Sequence, residues 1–336
     1  MKRPTLVTIA EKSGVSKPVV YTVLKNRQGT SIRVSKATRE KILRVAEECG
    51  YVPPKSSRML ATGKSDTIGV LIHLIIPPFS ELLTHIQRSA QKEGLDVIPY
   101  ITDNNPVLEE YYLNLVRDGR VDGIIPLTKT DGSDDRYRKY SCSPYHLTLF
   151  YYGEPIAGIP SVHFDAPAVG RLAAKHLLEI GCRRIAFFGR NPHLVRVKSF
   201  CAFLRKRGVI AEIITRPGGR DFFRDAMAGA KELMKMKPLP DGIFAVNDIL
   251  GVAILNEARK RGIRIPDDLA VVGCDNTEFA AYASPGLTSI DINPPLLAAR
   301  LVLRIKGMIE GKKTDDSHET LPVRLVVRES TMRAGR

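Results

Sequence analysis

The 336-residue chain has few cysteines, and those present are scattered. Cys49, Cys142, Cys182, Cys201 and Cys274 are odd in number and form no C-x-x-C pair. That pattern argues against a disulfide framework or zinc site and for ordinary thiols in a reducing compartment. No apolar run approaches the roughly 20 residues of a membrane span. The opening MKRPTLVTIAEKSG has a basic pair but no apolar core, so no signal peptide is read and a cytoplasmic protein is expected. There is no nucleophile elbow, no His/Asp/Cys metal spacing and no G-x-G-x-x-G after a strand pattern. Catalysis and bound cofactors are therefore not expected. Gly218-Gly219-Arg220-Asp221 reads as a turn. Asp131-Gly132-Ser133-Asp134-Asp135 lacks the terminal glutamate of a calcium loop. The tail after Arg328 carries no leucine heptads, so no tail-built tetramer is expected.

Acidic residues are scarce at one end. Residues 1–64 hold fourteen Lys/Arg against four Asp/Glu, the larger part of a formal net charge of +15. A concentrated basic end is the footprint of a polyanion binder. A membrane surface is the other polyanion, but the basic helix with a large aromatic or leucine face that it requires is missing.

Within that basic end, Leu6, Ile9 and Ala10 share one helix face, and the Thr5 hydroxyl is placed to cap the helix. Ser13-Gly14-Val15 interrupts it, with glycine suited to a tight turn. Ser16 is an N-cap for a second helix, with Pro18 in its first turn, where a missing N–H costs little. Val20, Val23 and Leu24 form the apolar face, leaving Lys17, Pro18, Tyr21, Thr22 and Lys25 outside. This is a helix-turn-helix pattern, which places its second helix in the DNA major groove. A short hairpin that only packs is the other reading. Ser35 then caps a third helix through about Cys49, with Ile42, Leu43, Val45, Ala46 and Cys49 as its buried stripe and Gly50 as its C-cap.

Residues 1–50 thus form a small all-α headpiece. Residues 51–64 are a polar linker, with Pro54 able to start a helical stretch that sets Ser57 and Leu60 on one face. From 65 the pattern changes to strands alternating with helices, the sign of parallel α/β sheets. Strands are expected at Thr67–His73, Leu95–Ile101, Val121–Leu127, Leu147–Tyr152 and Ser161–Phe164. A restarted series runs through Arg184–Gly189, Val209–Ile214, Asp241–Val246 and Leu269–Cys274. Two runs of similar size predict two doubly wound lobes with a ligand cleft at the carboxyl ends of their strands.

The order helix-turn-helix, third helix, G-Y-x-P, short segment ending in leucine, then I-G-V resembles the lactose-repressor (LacI) family of bacterial regulators. Ser161-Val162-His163-Phe164-Asp165, Phe244-Ala245-Val246-Asn247-Asp248 and Val271-Val272-Gly273-Cys274-Asp275-Asn276 extend the likeness over about Thr5 to Arg328. It implies an α/β fold with a helix-turn-helix headpiece, a hinge helix and a two-lobed, periplasmic-binding-protein-like body at 65–336. The expected lobes are about 65–165 with 290–318, and 166–289 with 319–330. It also implies a regulator, with repression the expected sense, that binds a near-palindromic operator as a homodimer. A sugar or related metabolite between the lobes would modulate its affinity.

The resemblance maps DNA contacts onto Thr5, Ser16, Lys17, Pro18, Tyr21, Thr22, Asn26, Ser57 and Leu60. Leu60 matches a minor-groove wedge, a device that kinks the duplex to bring more protein onto it; a linker residue packed on the body is its other reading. Val19, Tyr21 and Thr22 stand where the family has threonine, serine and arginine, which points to an unusual operator. Effector contacts map onto His73, Phe79, Arg196, Phe222, Asn247 and Asp275. Arg196 and Asp275 suit a hydroxyl-rich ligand, since both form charge-assisted hydrogen bonds, or they pair with one another. Pro77 and His73-Leu74 replace the family's asparagine and its P-D pair, so a non-sugar ligand or a decayed site stays open. A solute-binding transport protein would share the body, but the basic headpiece opposes it.

Overall fold

The computed structural model describes residues 4–24, 33–51, 59, 63–128, 132, 134–140, 155–215, 221–312 and 318–332. The chain divides into two compact units, Met1–Ser65 and Asp66–Arg336.

The first unit contains three helices: α1 (Leu6–Ser13), α2 (Lys17–Leu24) and α3 (Lys36–Glu48). Thr5 caps α1 in a reciprocal box with Thr8, satisfying two amides that have no partner inside the helix. Gly14 ends α1 at φ 67°, a left-handed conformation that glycine adopts without a Cβ penalty. Ser16 supplies its carbonyl to the N–H groups of Val19 and Val20, which starts α2. Ser35 caps α3 by accepting from Thr38 N. Ile9, Val20, Val23 and Ile42 are buried in one small core, each contributing about 2 kcal/mol relative to exposure.

Two expectations are corrected in this unit. Leu43 is not part of the buried stripe of α3; it is 47% exposed, because α3 buries only Ile42 and Ala46 fully and half-buries Val45 and Cys49. Thr22 does not face outward. It is 6% exposed, because α2 packs against both α1 and α3 and is covered over more than one stripe. The Pro54–Leu60 helical stretch lies outside the described residues except for Met59, so Ser57 and Leu60 are not placed.

The second unit opens with β1 (Thr67–Ile72), α4 (Phe79–Lys92), β2 (Asp96–Ile101), α5 (Pro106–Leu113), β3 (Gly123–Pro126) and α6 (Asp134–Lys139). β1 pairs in parallel with both neighbours to give the order β2-β1-β3. Side chains alternate across it: Ile68, Val70 and Ile72 enter one core and Leu71 enters another. The strand expected at Leu147–Tyr152 lies outside the described residues.

The chain continues through β4 (Ser161–Phe164), α7 (Ala166–Glu179), β5 (Ile185–Gly189), α8 (Val195–Arg205), β6 (Glu212–Thr215) and α9 (Phe222–Leu233). Then come β7 (Gly242–Ala245), α10 (Asp248–Lys260), β8 (Ala270–Cys274), α11 (Glu278–Tyr282) and β9 (Thr288–Asp291). After α12 (Pro294–Ile309), β10 (His318–Leu321) and β11 (Arg324–Val326), a short 3-10 turn at Glu329–Thr331 closes the described chain.

The larger sheet runs β11-β9-β8-β7-β5-β6, parallel except for β11 against β9. Its central strands β5, β7 and β8 are short apolar runs buried on both faces, as parallel sheets require, while the edge strand β6 is largely exposed. α12 returns to pack on α4, where Lys306 reaches Glu93 at 2.6 Å. β10 pairs with β4. Three chain crossings, β4 to α7, β9 to α12 and β10 to β11, therefore join the lobe of the small sheet to that of the large one.

Candidate functional site

In the first unit, the sequence-selected side chains fall into two groups. Ser16, Lys17 and Pro18 are exposed at the start of α2, and Tyr21 one turn on is half-buried. Thr22 is turned inward, and its hydroxyl donates to the Pro18 carbonyl at 3.0 Å. Thr5 is exposed, with its hydroxyl engaged in the α1 cap. Asn26 lies outside the described residues, as do Ser57 and Leu60.

In the second unit, most of the selected residues sit at the carboxyl ends of strands or the first turns of the helices that follow. This is the edge where open parallel sheets bind ligands. His73 follows β1 and is half-buried, with Nδ1 2.9 Å from the hydroxyl of Thr102, a buried residue just past β2. Phe79 opens α4 and packs partly on the core. Arg196, in the first turn of α8, is 6% exposed, and its Nη1 donates to Cys274 Sγ at 3.5 Å. The thiol of Cys274 is pushed well up by burial, with Asp275 reinforcing the shift and Arg196 opposing it, so it stays protonated.

Asp275 follows β8, is 2% exposed and takes φ 105°; Asn276 follows at φ 52°. Two successive non-glycine residues with positive φ form a strained turn that its surroundings must enforce. Asn247 caps α10: its Oδ1 accepts from Leu250 N at 3.0 Å, and the amide N–H groups are its donors. Phe222 opens α9, half-buried against the core and edge-on to Phe223. The structure thus places Arg196 beside Cys274, next to Asp275, and sets Asn247 on the same edge of the large sheet.

The sequence reading missed the residues that hold the Asp275 turn. Asp248 Oδ2 accepts from both N and Oγ1 of Thr277, and Oδ1 accepts from Ser289 Oγ. Burial pushes the Asp248 carboxyl up to about 7, against these hydrogen bonds, which pull it down. Arg328 donates to Asn276 Oδ1 and Leu287 O, both at 2.7 Å. The one available signal was an aspartate in the first turn of a helix, which reads equally as a macrodipole partner.

The two lobes also meet beside this turn. The Glu278 N–H donates to Glu81 Oε1 of α4 at 3.3 Å, and a cavity of about 490 Å³ lies there, lined by Glu81, His85, Arg88, Thr277 and Arg328. Burial raises the Glu81 carboxyl, the Glu278 N–H lowers it, and the Glu278 carboxylate adds to the rise. His85 is lowered by burial and by Arg88. Among the described residues no group of three or more His, Cys, Asp or Glu could hold a metal, and no helix is long and apolar enough to cross a membrane.

A basic helix-turn-helix unit followed by a two-lobed α/β body defines the class of DNA-binding regulators with a ligand-binding body. The chain matches the lacI family of bacterial regulatory proteins over residues 5–54 and a periplasmic binding protein-like domain over 174–331. It is 31% identical to the ribose operon repressor of Halalkalibacterium halodurans, over 97% of each chain. The structure of the Lac repressor dimer bound to operator and the anti-inducer ONPF superposes with a TM-score of 0.86, at 24% identity over 99% of this chain and 100% of that one. The complex of the transcriptional regulator CelR with cellobiose matches at a TM-score of 0.68 and 25% identity, over 98% and 100%. The chain belongs to the LacI family of DNA-binding transcriptional regulators.

Proposed function

We propose that the protein is a repressor that binds a near-palindromic operator as a homodimer and is controlled by a sugar or related metabolite held between its lobes. The observation that carries the DNA reading is α2, whose exposed N-terminal end presents Lys17 and Pro18, with Tyr21 one turn on, from a unit rich in Lys and Arg. N-terminal side chains of a recognition helix reach base edges, while flanking residues such as Ser16, Thr5 and Asn26 reach phosphates. Ser57 and Leu60 would complete the contact in the minor groove. Selecting bound duplexes from a random pool at moderate salt tests this reading. An enriched palindrome with a central C-G step supports the dimer, the helix and the Leu60 wedge together. Weak, salt-sensitive binding with no consensus rejects sequence-specific recognition by the free protein.

A second copy would cover an apolar surface on the large-sheet lobe. Phe279 and Tyr282 are 50% and 85% exposed and line a groove of about 470 Å³ with Val252 and Asn256. Isologous pairing would bury them symmetrically. A monomer by analytical ultracentrifugation at micromolar concentration would refute this assembly.

The effector reading rests on Arg196 and Asp275, a buried cation and a buried acid at neighbouring positions of one sheet edge. Asn247, His73, Phe79 and Phe222 would add donors and flat surfaces for a sugar ring. A relative named for a ribose operon and a fold relative in complex with cellobiose agree with that ligand class. A thermal-shift panel of pentoses, hexoses and disaccharides tests it. The replacement of polar family residues by Leu74 and Pro77 favours the second reading, a site that takes a non-sugar ligand or none. A panel without a single shift would select that reading.

A further inference from the structure

The edge of the large sheet opposite the carboxyl ends of its strands is basic. β5, β6, β7 and β8 run parallel, so the segments that lead into them share one amino edge, where α8, α9 and α10 also end. Segments 183–184, 205–212, 231–241 and 257–268 form that edge and hold twelve Lys/Arg against six Asp/Glu. Contacts join them into one band. Arg261, before β8, donates to the Met234 and Lys231 carbonyls at the end of α9, both at 3.2 Å. Arg184, before β5, donates to the Leu239 carbonyl in the loop before β7 at 3.2 Å, and Asp241 of that loop accepts from the amides of Arg183 and Arg184. The β5–β6 register, with Ala186 opposite Glu212, brings the chain leaving α8 in beside Arg183 and Arg184.

Helix macrodipoles account for only part of this charge. A cation in the last turn of a helix complements the dipole, and the effect fades beyond that turn. Arg205, Lys231, Arg259 and Lys260 stand in last turns. The other eight cations follow the helices or precede the strands. Five of the six acids are engaged locally: Asp241 by the two amides, Glu232 by Lys235, Glu257 by Lys260 and Arg261, and Asp267 and Asp268 by Arg264. Among the described residues, Arg183, Arg184, Lys206, Arg207 and Lys237 are exposed and form no ion pair.

What the band would hold follows from what it lacks. A protein partner needs an apolar centre within a polar rim. Ile210, 87% exposed, is the band's one exposed large apolar side chain among the described residues. Cations left unpaired along adjacent strands repel one another and gain most from an extended polyanion. The four strand starts span about 15 Å at roughly 4.8 Å per strand. Duplex DNA presents a phosphate charge for about every 1.7 Å of its axis, so it matches that length with several charges at once. Arg207 lies flat over the Phe203 ring, 3.6 Å from its centre, which holds the guanidinium in place at the surface. The groove assigned to a second copy touches this band only at Arg259, so pairing there leaves the β5 and β6 end open.

We propose that the amino edge of the large sheet is a second DNA-binding surface, which holds the phosphate backbone of a duplex other than the one bound by α2. A protein with both surfaces occupied joins two DNA segments without a tail-built tetramer. This goes beyond the operator reading, and the substitutions that test it leave the first unit untouched. The full chain is bound to an immobilised duplex of the selected sequence, or of random sequence if no consensus emerges. It is then washed and offered a short fluorescent random-sequence duplex over a range of salt concentrations. The parent protein is expected to retain the second duplex at low salt and release it as salt rises. The triple variant Arg183→Glu, Lys206→Glu, Arg207→Glu is expected to retain it at least about tenfold less, with a salt dependence lower by about three ions, while the immobilised duplex is bound as before. Lys206→Glu alone is the milder variant, expected to lose part of the retention, and it keeps the test open if the triple variant does not fold. Sandwiches built by two headpieces survive these substitutions, so equal retention by the variants overturns the proposal. Failure of the parent protein to retain the second duplex at low salt overturns it too. Retention of poly-glutamate in place of the duplex would do the same and mark the face as one for acidic polypeptides.

Discussion

Ser289 donates its hydroxyl to Asp248 across 2.5 Å, tying β9 to the first turn of α10. The same hydroxyl accepts from Asn276 N at 3.0 Å, and the other Asp248 oxygen takes Thr277 N at 2.7 Å. One buried carboxylate thus fixes the residues just after Asp275 and, through them, the aim of Asp275 itself.

That carboxylate makes stability depend on pH in a defined direction. Its pKa rises from 3.8 to about 7 on burial, so between those values the folded chain holds more protons than the unfolded one. Its contribution therefore grows as pH falls from about 7 toward 4 and is lost as pH rises through 7, with a slope approaching 1.4 kcal/mol per pH unit. Asp248→Asn removes the titration. Chemical denaturation at pH 5, 6, 7 and 8 should show the parent protein losing stability with pH relative to the variant. Parallel pH profiles would show that Asp248 does not titrate in this window.

Gly273 is a second positioning residue, for a steric reason. A Cβ there would lie 2.4 Å from Asp248 Oδ1 and 2.9 Å from Leu287 Cδ2. Gly273→Ala must push the carboxylate off Ser289 or shift β8. A loss of about 2–3 kcal/mol is expected, as for overpacking that also disturbs a buried polar group. Urea unfolding at pH 6 measures it, and a loss below about 0.5 kcal/mol would mean that the turn tolerates the shift.

Much of this was legible in the sequence where pattern and chemistry agreed. Thr5, Gly14 and Ser35 marked helix ends because capping is local, and the strand-helix alternation marked the parallel sheets because their cores repeat. Thr22 was misjudged because one helical stripe says nothing about a third helix covering the next stripe. Leu43 was misjudged for the converse reason, an apolar residue beside a stripe but outside its arc. The Asp248–Ser289–Thr277 network was not legible, since it joins positions 29 and 41 residues apart in sequence. The β4–β10 pair joins residues 157 apart through a ladder that no local periodicity encodes.

Arg196 offers the sharpest test of the cleft. It is nearly buried with its guanidinium against Cys274, so lysine keeps the charge but loses the planar fork. Arg196→Lys should fold and bind DNA in the absence of effector. It should weaken the effector that emerges from the sugar panel by roughly tenfold or more, the scale of a hydrogen bond to a charged group. Isothermal titration decides it, and unchanged affinity would remove Arg196 from the site.

Thr22 and Lys17 separate the two sides of α2. The Thr22 hydroxyl is buried and spent on the Pro18 carbonyl, so Thr22→Val should cost about 1 kcal/mol in stability. The bases preferred by the operator should stay the same. Lys17 is exposed at the helix start, so Lys17→Ala should leave stability within about 0.5 kcal/mol and weaken DNA binding. If Lys17 meets a phosphate, affinity falls evenly across sequences and the salt dependence drops by about one ion; if it meets a guanine edge, preference relaxes at a single base pair. Fluorescence anisotropy against the selected duplex and its single-base variants, at three salt concentrations, distinguishes these outcomes. A changed base preference in Thr22→Val would place that side chain on the DNA after all and require α2 to rotate about its axis on binding.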